Sequence, residues 1–192
     1  MSAATAHTAA TAVADDLPEV VGGCPGFLAG SIRRAVQAGG DWQAVADRVG
    51  EVLRNQVPSP AILTDEQLAG DPARYKAYLL YVEPDGSFSV TVMVWLPGQV
   101  TCVHDHLAWC VTAVMQGTLE EEIFAPAPDG SGLRVIARNQ NPPGDVGAFA
   151  PPGDVHRVRN AGAGVAVSMH VYGTDISRVG SSVRREYDYP IS

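Results

Sequence analysis

Residues 98–117, GQVTCVHDHLAWCVTAVMQG, and 151–172, PPGDVHRVRNAGAGVAVSMHVY, decide the fold of this 192-residue chain. Both are rich in valine and punctuated by glycine, the second opens on two prolines, and together they hold four of the five histidines. Short β-type runs with frequent turns read as strands of a sandwich or barrel rather than a parallel α/β sheet. Working outward, similar runs recur at about Tyr75–Val82, Phe88–Trp95, Glu120–Phe124, Leu133–Arg138 and Val146–Ala150. Within the quoted stretches they fall at Gln99–His104, Cys110–Gln116, His156–Arg159 and Val165–Tyr172.

Upstream the period changes. Leu28, Ile32 and Val36 recur every four residues before Gly39-Gly40, which predicts a helix. A second helix is expected from an Asp41 N-cap to about Asn55, with Trp42, Val45, Val49, Val52 and Leu53 as its buried stripe. Thr64 followed by Gln67 is a capping box for a short third. The Ala/Thr-rich start has neither periodicity nor a basic leader, so residues 1–22 read as a disordered tail. The expected organisation is that tail, a helical region over 23–73 packed on the barrel, and a barrel with a C-terminal extension over 74–192.

Net charge −8, from 13 Lys+Arg against 21 Asp+Glu, argues against nucleic acid or an anionic membrane as partner. No apolar run reaches the ~20 residues of a membrane span. Three cysteines, Cys24, Cys102 and Cys110, suit a reducing cytoplasm better than a disulfide framework.

His104 and His106 are two apart, so on a strand both imidazoles share a face and can meet one ion. His156 follows a proline-glycine turn that can aim it inward. Ser168, His170 and Tyr172 share one strand face. Each feature alone has an ordinary reading: a surface pair, a structural histidine, a satisfied polar stripe. Four clustered histidines in a chain with five are harder to set aside.

The run from Gly98 through His104, His106 and Cys110 to Gly117 resembles the first cupin motif, with Cys110 where most cupins carry a metal-binding glutamate. Pro151-Pro-Gly153-Asp-Val-His156-Arg-Val-Arg-Asn160 resembles the second. With Ser168-x-His170-x-Tyr172 added, the chain resembles the thiol dioxygenases, cysteine dioxygenase and 3-mercaptopropionate dioxygenase, over about residues 74–175, and their bacterial branch most. The resemblance implies a mainly β, cupin-type antiparallel barrel (jelly roll). It also implies Fe(II), with Ni(II) as the alternative, on His104, His106 and His156. Three neutral imidazoles leave the ion's charge for a thiolate to offset. The implied substrates are O2 and a small thiol, L-cysteine foremost, giving a sulfinic acid. Decarboxylation or S–N bond formation is the alternative outcome, and a non-catalytic ligand-binding cupin the non-enzymatic one.

By the same resemblance His170 holds Tyr172, with Ser168 behind it. A fourth-ligand role for His170 would instead suit a closed structural zinc site. Cys110 stands either where a thioether to Tyr172 forms in some relatives or as a small buried thiol. An ungapped count puts Tyr78 where animal-type enzymes keep the arginine that reads the substrate carboxylate. Arg74 and Lys76 share its strand parity, and Arg178, Arg184 and Arg185 follow the tyrosine. Arg184 is the candidate carried forward as a bidentate carboxylate partner. The expected assembly is a monomer or homodimer.

Overall fold

The computed structural model describes residues 18–21, 23–188 and 191, so the expected tail at 1–17 lies outside it. In chain order the elements are β1 (Glu19–Val20), α1 (Gly26–Gln37), α2 (Trp42–Gln56), α3 (Asp65–Leu68), β2 (Lys76–Val82) and β3 (Ser89–Trp95). Then come β4 (His104–His106), β5 (Cys110–Gln116), β6 (Leu119–Pro126), β7 (Leu133–Asn141) and β8 (Val146–Phe149). The chain finishes with β9 (His156–Asn160), β10 (Ala166–Tyr172), α4 (Ile176–Val179) and β11 (Val183–Glu186).

The strands form two sheets, ordered β1-β2-β3-β10-β5-β8 and β11-β4-β9-β6-β7. Every pairing between these strands is antiparallel except β1 on β2, as the expected jelly roll requires. Among the described residues no helix is long and apolar enough to cross a membrane.

Strand parity divides the six-stranded sheet into two faces. Val90, Val92 and Val94 of β3, Met169 and Val171 of β10, and Val111 and Ala113 of β5 pack with Leu28, Ile32, Val45, Val49 and Leu53 of the helices in one buried cluster. Each of the larger side chains contributes about 1.5–3 kcal/mol by leaving water. The opposite face is polar and looks into the barrel: His170 lies between Thr91 and Thr112, and Tyr172 between Ser89 and Cys110. One alternating sequence thus serves the helix-side core and the site together.

The helix signals behave as their chemistry dictates. The Asp41 carboxylate accepts from the Ala44 N–H at 2.8 Å, and Thr64 and Gln67 complete a reciprocal capping box. Trp42 is a correction: it sits in the first turn of α2 and is 48% exposed, outside the buried stripe of Val45, Val49 and Leu53. Two further differences concern strands. Glu19–Val20, expected as tail, add a parallel strand to β2. Residues 99–103, expected as strand, touch β9 only through an isolated antiparallel bridge at Val100–Arg159 and the backbone bonds of Gln99 and Thr101, while the Gln99 side chain accepts from the Leu96 N–H (2.8 Å) and donates to the Asp71 carbonyl (2.7 Å). The strand proper begins only at His104.

Candidate metal centre

His104 and His156 are register partners on β4 and β9, and His106 follows two residues along β4. All three are buried, and one potential ligand atom from each lies within 4.8 Å of the others. The ring centroids are 4.7–5.0 Å apart, three imidazoles converging on one point.

Each ring is held from behind through Nδ1. His104 Nδ1 bonds the Cys102 carbonyl at 3.1 Å, His106 Nδ1 the Asp154 carboxylate at 2.9 Å, and His156 Nδ1 the Glu121 carboxylate at 2.7 Å. An acceptor at Nδ1 fixes that proton there and leaves Nε2 bare for a metal. His156 Nε2 is accordingly a buried nitrogen with no hydrogen-bond partner, a costly arrangement that a bound cation would relieve. Burial lowers the His104 pKa well below the ordinary value, and His106 is lowered by the same cause against the pull of Asp154. Neutral rings are what ligation requires. The donor set fits a divalent transition metal.

Sequence reasoning missed the two supporting carboxylates, although both left a trace. Glu121 is the middle of Glu120-Glu121-Glu122 on β6. Parity sends its neighbours outward, to Arg159 for Glu120 and to Arg157 and Arg138 for Glu122, and Glu121 alone toward His156. Asp154 lies in the turn before His156, and its Oδ2 also accepts the His106 backbone N–H at 3.0 Å.

Beyond the triad, a cavity of about 170 Å3 is lined by the three histidines, Thr91, Met93, Trp95, Thr112, His170 and Tyr172, among others. Ser168 Oγ is 2.8 Å from His170 Nε2, and His170 Nδ1 is 3.3 Å from the Tyr172 hydroxyl. Both His170 nitrogens are therefore engaged, and His170 is not among the converging ligand atoms. Burial, with help from His106 and His156, pushes its pKa down to about 3. Burial likewise raises the Tyr172 phenol and the Cys110 thiol well above their usual values, so all three are neutral near neutral pH. Cys110 and Tyr172 face each other across β5 and β10 and share a small apolar cluster with Ile176. Cys24, Cys102 and Cys110 are all unpaired thiols.

Of the two expected substrate contacts, Arg184 lies off the cavity lining and Tyr78 borders it. Arg184 pairs with Asp105, whose carboxylate also accepts from Arg185 at 2.8 Å and Tyr187 at 2.9 Å. Asp105 lies between the two ligand histidines on β4, so parity turns it, and Arg184 with it, away from the metal side. Tyr78 borders the cavity, but its side chain belongs to the helix-facing core and its hydroxyl donates to the Gln67 carbonyl at 3.4 Å. The register sets its orientation: Ala77 pairs with Met93, opposite Ser168, so Ala77 takes the barrel-facing position and Tyr78 reaches the cavity only at its border.

One comparison with known proteins agrees with this geometry. The family model described as cysteine dioxygenase type I matches residues 67–184. Among solved structures, the chain is similar to a Cupin 2 conserved barrel domain protein from Salinispora arenicola (25% identity, TM-score 0.40, 51% of this chain and 74% of that one). It is also similar to a double-stranded β-helix domain protein from Klebsiella pneumoniae (19% identity, TM-score 0.46, 59% and 88%). A third is a cupin superfamily protein from Desulfitobacterium hafniense (12% identity, TM-score 0.45, 63% and 92%). With a match over more than half of its length, a jelly-roll barrel and three converging histidines, the chain belongs to the cysteine dioxygenase type I family.

Proposed function

We propose that this protein is a thiol dioxygenase that adds both atoms of O2 to the sulfur of a small thiol, L-cysteine foremost, giving a sulfinic acid. The observation that carries the reading is the carboxylate-free triad: His104, His106 and His156 supply three neutral donors and no anion. A substrate thiolate completes such a charge set, whereas a fourth anionic ligand would compete with it. His104, His106 and His156 would hold the ion, Fe(II) with Ni(II) as the alternative. When bound, the ion supplies the acidity that deprotonates the thiol and the redox chemistry that brings O2 to sulfur. The overall change balances without another reductant: a thiol and O2 become a sulfinic acid.

The chain's own groups orient and protonate. Tyr172, neutral and buried, presents a phenol to the cavity, and His170 steadies its oxygen. The apolar sheath of Met93, Val158 and Ile176 limits water around the sulfur. Cys110 packs against Tyr172 and restricts its ring.

One observation favours the rearranged product as a second reading. Among the described cavity-lining residues, the lysine and arginine side chains are Lys76, at the start of β2, and Arg74, two residues before it, and Lys76 is 3.4 Å from the Asp71 carboxylate. Neither neighbour of His170 across the sheet is cationic; both are threonines. A substrate carboxylate that sits beside His170 rather than reaching Arg74 or Lys76 would lack a tight ionic clamp, the condition under which decarboxylation competes.

Metal analysis of protein purified without added metal, followed by oxygen-uptake assays of the iron- and nickel-loaded forms with a panel of small thiols, tests the proposal. Uptake with cysteine and a product heavier by two oxygen atoms is expected. Lack of uptake with every thiol would end the dioxygenase reading, and loss of CO2 from the product would establish the second.

A further inference from the structure

The Ser168–His170–Tyr172 row does not end at Ser168. Trp95, on β3 and 1% exposed, donates its indole N–H to Ser168 Oγ at 2.9 Å. Four side chains thus form one buried line: Trp95 Nε1, Ser168 Oγ, His170 Nε2 and Nδ1, and the Tyr172 hydroxyl, with successive distances of 2.9, 2.8 and 3.3 Å.

The two ends of this line are chemically unequal. An indole N–H can only donate, whereas serine, neutral imidazole and phenol can each donate or accept. The donor-only end gives the line a direction. Ser168 Oγ must accept from Trp95, and its single proton is then best placed on its other neighbour, His170 Nε2. Nε2 is therefore the unprotonated nitrogen, and the imidazole proton sits on Nδ1. From Nδ1 it is donated to the Tyr172 oxygen. The phenol proton is spent on no member of the row and stays on the cavity side of the line, where the Ser182 and Thr91 side chains also approach the Tyr172 oxygen. The reverse direction would aim two donors at Ser168 and strand its buried hydroxyl proton, which costs a full unsatisfied group.

We infer that Trp95 is a positioning residue: it sets the direction of this hydrogen-bond line, holds His170 as the Nδ1–H tautomer, and so keeps the Tyr172 proton off His170 and on the side that faces substrate or O2. The role assigned to Tyr172 rests on the dioxygenase reading; the tautomer of His170 does not. Tyr75, stacked on Trp95 with centroids 4.5 Å apart, holds the indole in plane from the cavity side.

The test reads the two separately. In metal-free and zinc-loaded protein labelled with 15N-histidine, the His170 signals are assigned by their loss in His170→Gln. Wild-type protein is expected to show a protonated Nδ1 and a bare Nε2, without the other tautomer. Trp95→Phe keeps the aromatic packing and removes the donor. It should show a second population protonated at Nε2, at least about one-tenth of the signal, because the space left by the indole admits water to take the Ser168 proton and the unpaired-group penalty, a bias of up to about 100-fold, is gone. In the active protein the same variant should lower kcat about tenfold with KM within about twofold, since it alters proton placement and not binding. Wild-type His170 protonated at Nε2, or a Trp95→Phe protein with an unchanged single tautomer, overturns the inference. Should Trp95→Phe fail to fold, the wild-type tautomer alone decides. A protein without thiol oxidation but with the expected tautomers would refute the function and leave the line standing.

Discussion

Glu121→Gln is the sharpest probe of the metal centre, because it alters one atom of a partly buried side chain and no ligand. The Glu121 carboxylate is ionised: burial works against this, but hydrogen bonds from His156, Asn139 and Asn141 outweigh it and lower its pKa. Its Oε1 accepts from His156 Nδ1 at 2.7 Å and its Oε2 from Asn139 Nδ2 at 3.3 Å. Glutamine is nearly isosteric, yet it cannot satisfy both neighbours. With its oxygen toward His156, its amide N–H meets the Asn139 N–H. With its amide toward His156, it drives the imidazole proton to Nε2, the nitrogen that must be bare to bind metal. Either way a charge-assisted bond worth about 1.5–3 kcal/mol is replaced by a neutral one of about 0.5–1.5 kcal/mol. A loss of about 1.4 kcal/mol is tenfold in affinity, so the metal Kd should rise about 10-fold and by no more than about 100-fold. Competition of a chromophoric chelator for zinc measures it. Glu122→Gln, on the other side of β6 and paired with Arg138 and Arg157, is the control and should change Kd less than about twofold. Equal effects from the two variants, or an unchanged Kd for a folded Glu121→Gln, would refute the idea that the carboxylate sets the tautomer of His156.

Acid should destabilise the metal-free protein in a defined window. The unfolded His170 takes a proton at its ordinary value near 6.5, whereas the folded one resists until about 3. Stability present above pH 6.5 is therefore lost as pH falls between those values, about 2 kcal/mol from this residue by about pH 5; a flat melting temperature over that range would contradict it. Leu53→Ala should cost about 2–5 kcal/mol in urea unfolding and Trp42→Ser within about 0.5 kcal/mol, reversing the expectation that both belong to one buried stripe. Arg184→Ala should leave KM for the thiol within about twofold and lower stability by about 1 kcal/mol or less, because Arg185 and Tyr187 still reach Asp105. A large KM change there would restore Arg184 to the binding site.

The legible parts of the site were those where a one-dimensional pattern has a unique three-dimensional meaning. A His-x-His pair on a strand must share a face, and Ser168, His170 and Tyr172 must line up, so the triad and the row behind it were readable. Tyr78 was not, because an ungapped count fixes distance along the chain but not parity. A slip of one residue turns a side chain from the site to the helices, and only the pairing of Ala77 with Met93 settles which way β2 faces. Glu121 and Asp154 were hidden for another reason: nothing local separates them from solvated acids nearby. What distinguishes them is the element each meets across the sheet, His156 for one and His106 for the other. Trp42 shows the limit of helical periodicity, since a first-turn residue can be in phase with the stripe and still overhang the core.

The attachment of β11 to β4 has a consequence for how the site comes into being. The strand bearing His104 and His106 is the next-to-last of its sheet, and its outer neighbour is β11, residues 183–186. Asp105, 1% exposed, is paired with Arg184 and Arg185. During synthesis the ligand histidines are made dozens of residues before those arginines. Until they arrive, β4 is an open edge with a carboxylate that cannot be buried unpaired. Assembly of the metal site is thereby deferred until nearly the whole described chain has left the ribosome, so a nascent barrel is poorly equipped to capture an ion before it can enclose it.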